Sequence, residues 1–211
     1  MGAAVMTERY AVIDCETTGL SPEKDEIVEV GIWTPARGAV SLMVKHETIP
    51  KIITEITGIT AAMTQAEGRS ITEVLTDLIG YIGELVTTEE RPSLGVSRPV
   101  TMFPTIIGHN FLAFDLPFLI HACDNHGLIW PHTRIVDTGG LYVAHQLGLV
   151  RAPGEHAERY AARGLISRPL TMRWSLAECC RVMGIDISDL RAHRATGDVL
   201  ATQRLYERLT A

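Results

Sequence analysis

The sequence predicts an α/β protein with a central mixed five-stranded sheet flanked by helices. Three observations lead there. The chain opens with three apolar, β-branched runs joined by short connections, the pattern of an antiparallel meander. Further on, helical periodicities alternate with two more short apolar runs, as they do when helices cover a sheet. Apolar residues make up 46% of the chain and charges of both signs are interspersed, which suits a packed globule.

Each element has its own signal. Met1 to Glu8 reads as a loose end. Tyr10–Cys15 is the first strand, Ile27–Trp33 the second and Ala39–Val44 the third, with Thr34-Pro35-Ala36-Arg37-Gly38 as the turn between the last two. Glu55–Thr60 reads as a compact turn with apolar tips. Ile71, Val74, Leu75, Leu78, Ile79 and Ile82 recur at three- and four-residue spacing, an amphipathic helix that Ser70 or Thr72 can cap. Thr105–His109 is a short buried strand. Asp115–His126 is a helix with Pro117 in its tolerant first turn. Arg134–Asp137 is the last strand, and helices follow from Leu141, over Trp174–Met183 and over Thr196–Leu209. Residues 1–211 are expected to form a single domain with two polar surface insertions, near 83–104 and 147–172, the second partly helical.

Composition narrows the function. A formal net charge of −6 argues against a protein that coats duplex nucleic acid through a broad basic surface, though not against a nuclease with an acidic metal site. Cys15, Cys123, Cys179 and Cys180 show no disulfide framework, so reduced thiols in a cytoplasmic compartment are expected. Cys123 and His126 have the spacing of half a zinc site, with no matching second half. No apolar run is long enough to span a membrane, and no signal peptide or myristoylation pattern is present.

The chemistry concentrates in Asp14-Cys15-Glu16-Thr17-Thr18-Gly19-Leu20. Side chains alternate along a strand, so Asp14 and Glu16 point to one face and Cys15 to the other. Two acids on one face need a cation, a shared proton or water, and an all-oxygen cluster suits magnesium or manganese. Asp115 lies just past a strand end, Asp198 in or near the first turn of the last helix, and His193 on the loop before it. Sites in open α/β sheets gather at the carboxyl ends of strands. Taken singly, each residue has an ordinary reading: Asp198 and Asp137 as acids favouring a helix N-terminus, His193 as a surface or capping histidine, Leu20 and Phe114 as core, Thr17 and Thr18 as turn residues.

Together these motifs resemble a known family. Asp-x-Glu-Thr-Thr-Gly-Leu, then His109-Asn110 with Phe114-Asp115, then His193 followed five residues on by Asp198, is similar to the DEDDh or DnaQ-like exonucleases, in the proofreading epsilon-subunit style rather than the oligoribonuclease style. Ile56-Thr57-Gly58-Ile59-Thr60 and Ile135-Val136-Asp137-Thr138 resemble secondary signatures of the group. The resemblance runs from Tyr10 to Leu209, and the two insertions depart from it. It implies a ribonuclease H-like fold and 3′→5′ hydrolysis of a single strand, DNA favoured over RNA. It implies that Asp14, Glu16, Asp115 and Asp198 hold two divalent cations, Mg2+ or Mn2+, and that His193 is the general base. It further implies that Thr17, Thr18, Gly19, Leu20, Ile56, Thr57, Asn110 and Phe114 line the pocket for the terminal nucleotides.

That chemistry suits the residues. Two metals about 3.5–4 Å apart can activate a water and take charge from the departing oxygen. Imidazole titrates near neutrality and can accept the water's proton. The backbone amides of Thr17 to Gly19 can meet a strand end, while Leu20, Ile56 and Phe114 wedge or stack against bases without reading them. Two alternatives stand: an exoribonuclease or oligoribonuclease-type enzyme, and a non-catalytic module that holds a strand end or a polymerase. The chain stops just after its last helix, so a freestanding enzyme, or one docked to a polymerase through an insertion, is expected rather than a tail-tethered subunit.

Overall fold

A computed structural model describes residues 9–93 and 96–211; the expected loose end, Met1 to Glu8, lies outside the described residues. Strand β1 (Tyr10–Thr17) is the middle of the sheet. Its period-two alternation splits it between two cores. Ala11, Ile13 and Cys15 belong to one apolar cluster, and Tyr10 and Val12 to the other. Strand β2 (Ile27–Thr34) pairs antiparallel with β1, and β3 (Gly38–Met43) pairs antiparallel with β2, completing the expected meander.

Two short helices come next, and the turn expected over Glu55–Thr60 is the end of the first of them and the link between the two. They are α1 (Lys51–Thr57), which ends on Gly58 at φ 72°, and α2 (Ala61–Glu67), which is capped by the Thr60 hydroxyl. Helix α3 (Ile71–Gly83) starts on a full capping box between Ser70 and Glu73, and it buries Val74, Leu75, Leu78 and Ile82 against the first cluster. The stretch 83–104, expected as a polar surface insertion, carries an antiparallel ribbon of β4 (Thr87–Ser93) and β5 (Val96–Met102), apart from the main sheet. Strand β6 (Thr105–Gly108) lies parallel to β1. After it come α4 (Asp115–Asn125), β7 (Arg134–Asp137) parallel to β6, and α5 (Thr138–Gln146). The stretch 147–172, expected as the second insertion, carries α6 (Ala157–Ser167). Helix α7 (Leu176–Val182) and the last helix, α8 (Ala195–Thr210), close the described fold.

The order β3-β2-β1-β6-β7, antiparallel in its first pairs and parallel in its last, is the mixed five-stranded sheet that the sequence predicts. One face packs on α3 and α4 through Leu75, Leu78, Phe118 and Leu119. The other takes α5, α6 and α8 through Leu141, Ala161, Val199 and Tyr206. This two-sided cover decides where the acids go. Tyr10 and Val12 face α8, so Asp14 and Glu16, continuing the same alternation, emerge on the α8 side. All four cysteines are free and buried.

Candidate active site

The site begins where β1 outruns its parallel neighbour. The β1–β6 pairing extends only from Tyr10 to Val12. Beyond it the Cys15 backbone N–H, which lies between the two acids, donates to Asp115 Oδ1 at 2.7 Å. Asp115 is 3% exposed in the first turn of α4, so one buried carboxylate fastens α4 to the acidic end of β1. Across the sheet face, α8 brings Asp198 in its own first turn. Asp14, Glu16 and Asp198 each offer an oxygen, and these oxygens lie within 4.8 Å of one another. Asp115 stands outside that tight group and beside it.

The acids are held under electrostatic pressure. Burial pushes Asp14 well above the ordinary carboxylate range, and the charges of Asp115, Asp198 and Glu16 push the same way. Burial, then Asp198, Glu29 and Asp115, raise Glu16 to about 8. Burial raises Asp115 to about 7 against the lowering hydrogen bond from Cys15. Burial also raises Asp198, and the charge and backbone N–H of His193 offset part of that rise. Carboxylates gathered this closely fit a divalent cation, whose charge removes the repulsion that protonation otherwise relieves. The donors are oxygens only, the set favoured by magnesium and manganese.

His193 sits exposed on the loop before α8, at φ 56°, and its backbone N–H donates to Asp198 Oδ2 at 3.1 Å. The loop also reaches toward α1: a Cβ added to Gly58 would collide with the Arg191 guanidinium. The segment Ile56-Thr57-Gly58 therefore borders the His193 loop.

The pocket residues sort by exposure. Leu20 is 84% exposed and Ile56 48%, so neither is the core residue that apolarity alone suggests. Thr57 is buried, with its hydroxyl donating to the Ile53 carbonyl and accepting from the Ile59 amide. The Thr17 hydroxyl donates to the Gly19 carbonyl. The Thr18 amide, expected to be available to a strand end, instead donates to the Glu26 carbonyl at 2.8 Å, and the Thr18 hydroxyl accepts from the Glu26 amide. Asn110 turns the chain at φ 58°, and its backbone N–H donates to Asp137 Oδ1. Phe114 is half-buried, and its ring lies 5.2 Å from that of Phe118. Asp137 is the helix-capping acid that the sequence suggests, accepting from the Gly139, Asn110 and Leu112 amides.

Sequence reasoning passed over Glu29 and Arg194. Glu29 is fully buried on β2, directly across from Glu16, and Arg194 grips it with two hydrogen bonds. The signal was a lone carboxylate inside Ile27-Val28-Glu29-Val30, since a charge in such a strand requires a partner.

Several known proteins resemble this chain. An exonuclease family profile of the RNase T type matches residues 11–98. The PolC-type DNA polymerase III of Thermotoga maritima is 37% identical over 82 residues, 36% of this chain and 6% of that protein. Its counterpart in Mycoplasma genitalium is 23% identical over 93% of this chain and 11% of that protein. The chain thus matches only a small part of the length of these curated relatives. Among solved structures, Exonuclease I of E. coli in complex with a dT13 oligonucleotide superposes with a TM-score of 0.65 at 17% identity, over 97% of this chain and 41% of that one. Exonuclease I of Methylocaldum szegediense gives 0.61 at 20% identity, over 96% of this chain and 40% of that one. Over residues 11–98 the chain is therefore similar to exonucleases of the RNase T type, and over nearly its whole length it shares the fold of Exonuclease I.

Proposed function

We propose that this chain is a metal-dependent 3′→5′ exonuclease that removes nucleoside 5′-monophosphates from the 3′ end of single-stranded DNA. The observation that carries the reading is the convergence of Asp14, Glu16 and Asp198, from opposite ends of the chain, to within 4.8 Å. These three, with Asp115 beside them, would hold two divalent cations, Mg2+ or Mn2+. Bound there, the cations supply water activation and charge for the departing 3′-oxygen.

The chain's own residues do the rest. His193, exposed and carried on a loop anchored at Asp198, takes the proton of the attacking water as general base. The exposed apolar side chains of Leu20 and Ile56 meet the terminal bases, with Phe114 and Asn110 at the turn before α4. Gly19, Thr17 and Thr57 shape the backbone around them through the hydrogen bonds described above. Contacts of this kind read base faces and not base edges, so cutting depends weakly on sequence.

The oligonucleotide bound by the E. coli neighbour supports a DNA strand as substrate, and the PolC-type matches support a polymerase as partner. No helix among the described residues is long and apolar enough to cross a membrane. With four free cysteines, that agrees with work in the cytoplasm. The test is digestion of labelled DNA and RNA oligomers with Mg2+ or Mn2+ and with chelator. Shortening of DNA from the 3′ end, stopped by chelator, is expected. No cutting of either strand with either metal would overturn the reading, and faster cutting of RNA would overturn the choice of substrate.

A further inference from the structure

Glu29 faces the acidic cluster yet takes no part in it. Its Oε1 accepts from Arg194 Nη2 at 2.8 Å and from the Ser41 hydroxyl, and its Oε2 accepts from Arg194 Nε at 3.0 Å and the Ala195 amide at 3.1 Å. Four donors occupy the lone pairs that a cation would need.

The sources of those donors matter. Arg194 is the N-cap of α8 and Ala195 its first residue, and α8 has no side-chain cap of its own. Glu29 supplies the missing acceptor from strand β2, where the positive end of the helix dipole also favours a carboxylate. Two residues further along β2, Gly31 lies beneath the same turn: a Cβ there would collide with the Ala195 carbonyl. Strand β2 therefore seats Ala195 by its N–H and by its C=O. The two site residues flank this seat. His193, in a left-handed backbone conformation, immediately precedes the clamped Arg194, and Asp198 follows Ala195 by three residues, its Oδ2 holding the His193 amide.

We propose that Glu29 and Arg194 are positioning residues: a buried latch that fixes the first turn of α8 on β2 and so sets Asp198 and His193 against Asp14 and Glu16. The latch touches neither the reacting atoms nor the cations. The inference rests on the exonuclease reading and adds two residues to it.

The test compares wild type, Glu29→Gln, Arg194→Lys and the double variant Glu29→Gln/Arg194→Gln. All are measured at a temperature where circular dichroism shows each one folded. Three readouts are taken: Mn2+ affinity by calorimetry without nucleic acid, kcat and KM on a labelled single strand, and hydrogen exchange at the His193 and Ala195 amides. Glu29→Gln is expected to weaken Mn2+ binding and lower kcat by roughly 10–100-fold, with KM for the strand unchanged and both amides exchanging faster. Arg194→Lys keeps the charge but loses the two-pronged geometry and falls between. The double variant loses little more than the worse single, because both break one contact. A folded Glu29→Gln with wild-type Mn2+ affinity and kcat overturns the latch, as does a loss confined to KM. If Glu29→Gln does not fold, Arg194→Lys decides by the same criteria. A wild-type chain that binds Mn2+ but cuts nothing defeats the exonuclease reading alone, and calorimetry and exchange still judge the latch. A wild-type chain that binds no Mn2+ defeats both.

Discussion

Glu16 at the end of β1 and Glu29 in β2 stand opposite each other in the same sheet, on the same face, and meet opposite fates. Glu16 looks onto Asp198, Glu29 and Asp115 and is pushed up to about 8, with the guanidinium of Arg194 as partial relief. Glu29 is also penalised by burial, but the hydrogen bonds from Arg194, Ser41 and Ala195 outweigh that penalty and hold it below the usual carboxylate range. A carboxylate saturated with donors is finished and structural. One left facing its own kind is poised for something that arrives from outside. The distinction lies in what surrounds the residue and not in its type, and it can be broken experimentally.

The largest effect comes from the poised side. Asp14→Asn or Asp198→Asn is expected to abolish strand shortening while raising the melting temperature of the metal-free protein, because each removes repulsion without removing packing. Loss of activity together with marked destabilisation would show that these acids are structural, like Glu29. Next, His193→Ala is expected to lower kcat by about 10²–10⁴-fold, with Mn2+ affinity retained in calorimetry. Undiminished cutting would remove the base assignment and leave the cation site standing.

A smaller effect is set by pH. Glu16 and Asp115 titrate at about 8 and about 7 in the folded chain, above their ordinary values in the unfolded one. Between about pH 4 and those values the unfolded chain has released protons that the folded chain keeps, so metal-free stability is greatest at the acid end and declines as pH rises. Melting temperatures measured near pH 5.5 and near pH 8 are expected to fall with pH without metal, and added Mn2+ to raise the temperature more at the higher pH. Equal gains at both would mean that the cluster is not where the ion binds. The smallest effect belongs to Leu20. At 84% exposure its replacement by alanine leaves the melting temperature unchanged and raises KM for a single strand by about threefold to tenfold.

Local rules made much of the molecule legible. The alternation of β1 placed Asp14 and Glu16 on one face and Cys15 on the other, and the spacing of Val74, Leu75, Leu78 and Ile82 gave α3. Helix α1 escaped notice because Ile52, Ile53, Thr54, Ile56 and Thr57 are β-branched and read against a helix; Gly58 and the surrounding tertiary contacts override that preference. The β4–β5 ribbon was hidden by Pro92 and Pro99, which count as breakers in a central strand but are tolerated in a ribbon whose outer edges are unpaired. The pair Glu29 and Arg194 escaped for a different reason. They are 165 positions apart, and no periodicity reports a partner that only the folded chain supplies.

Cys15 gives the β1 alternation a chemical meaning. Its neighbours in sequence are the two acids, yet its side chain turns into the core, and burial, followed by the surrounding negative charge of Asp115, Asp14 and Glu16, keeps the sulfur protonated. A slip of one residue in the register of β1 would bring this thiol to the face that the two carboxylates now hold and turn the carboxylates into the core. The pleat of one strand thereby keeps sulfur out of the acidic cluster and leaves oxygen as its donor.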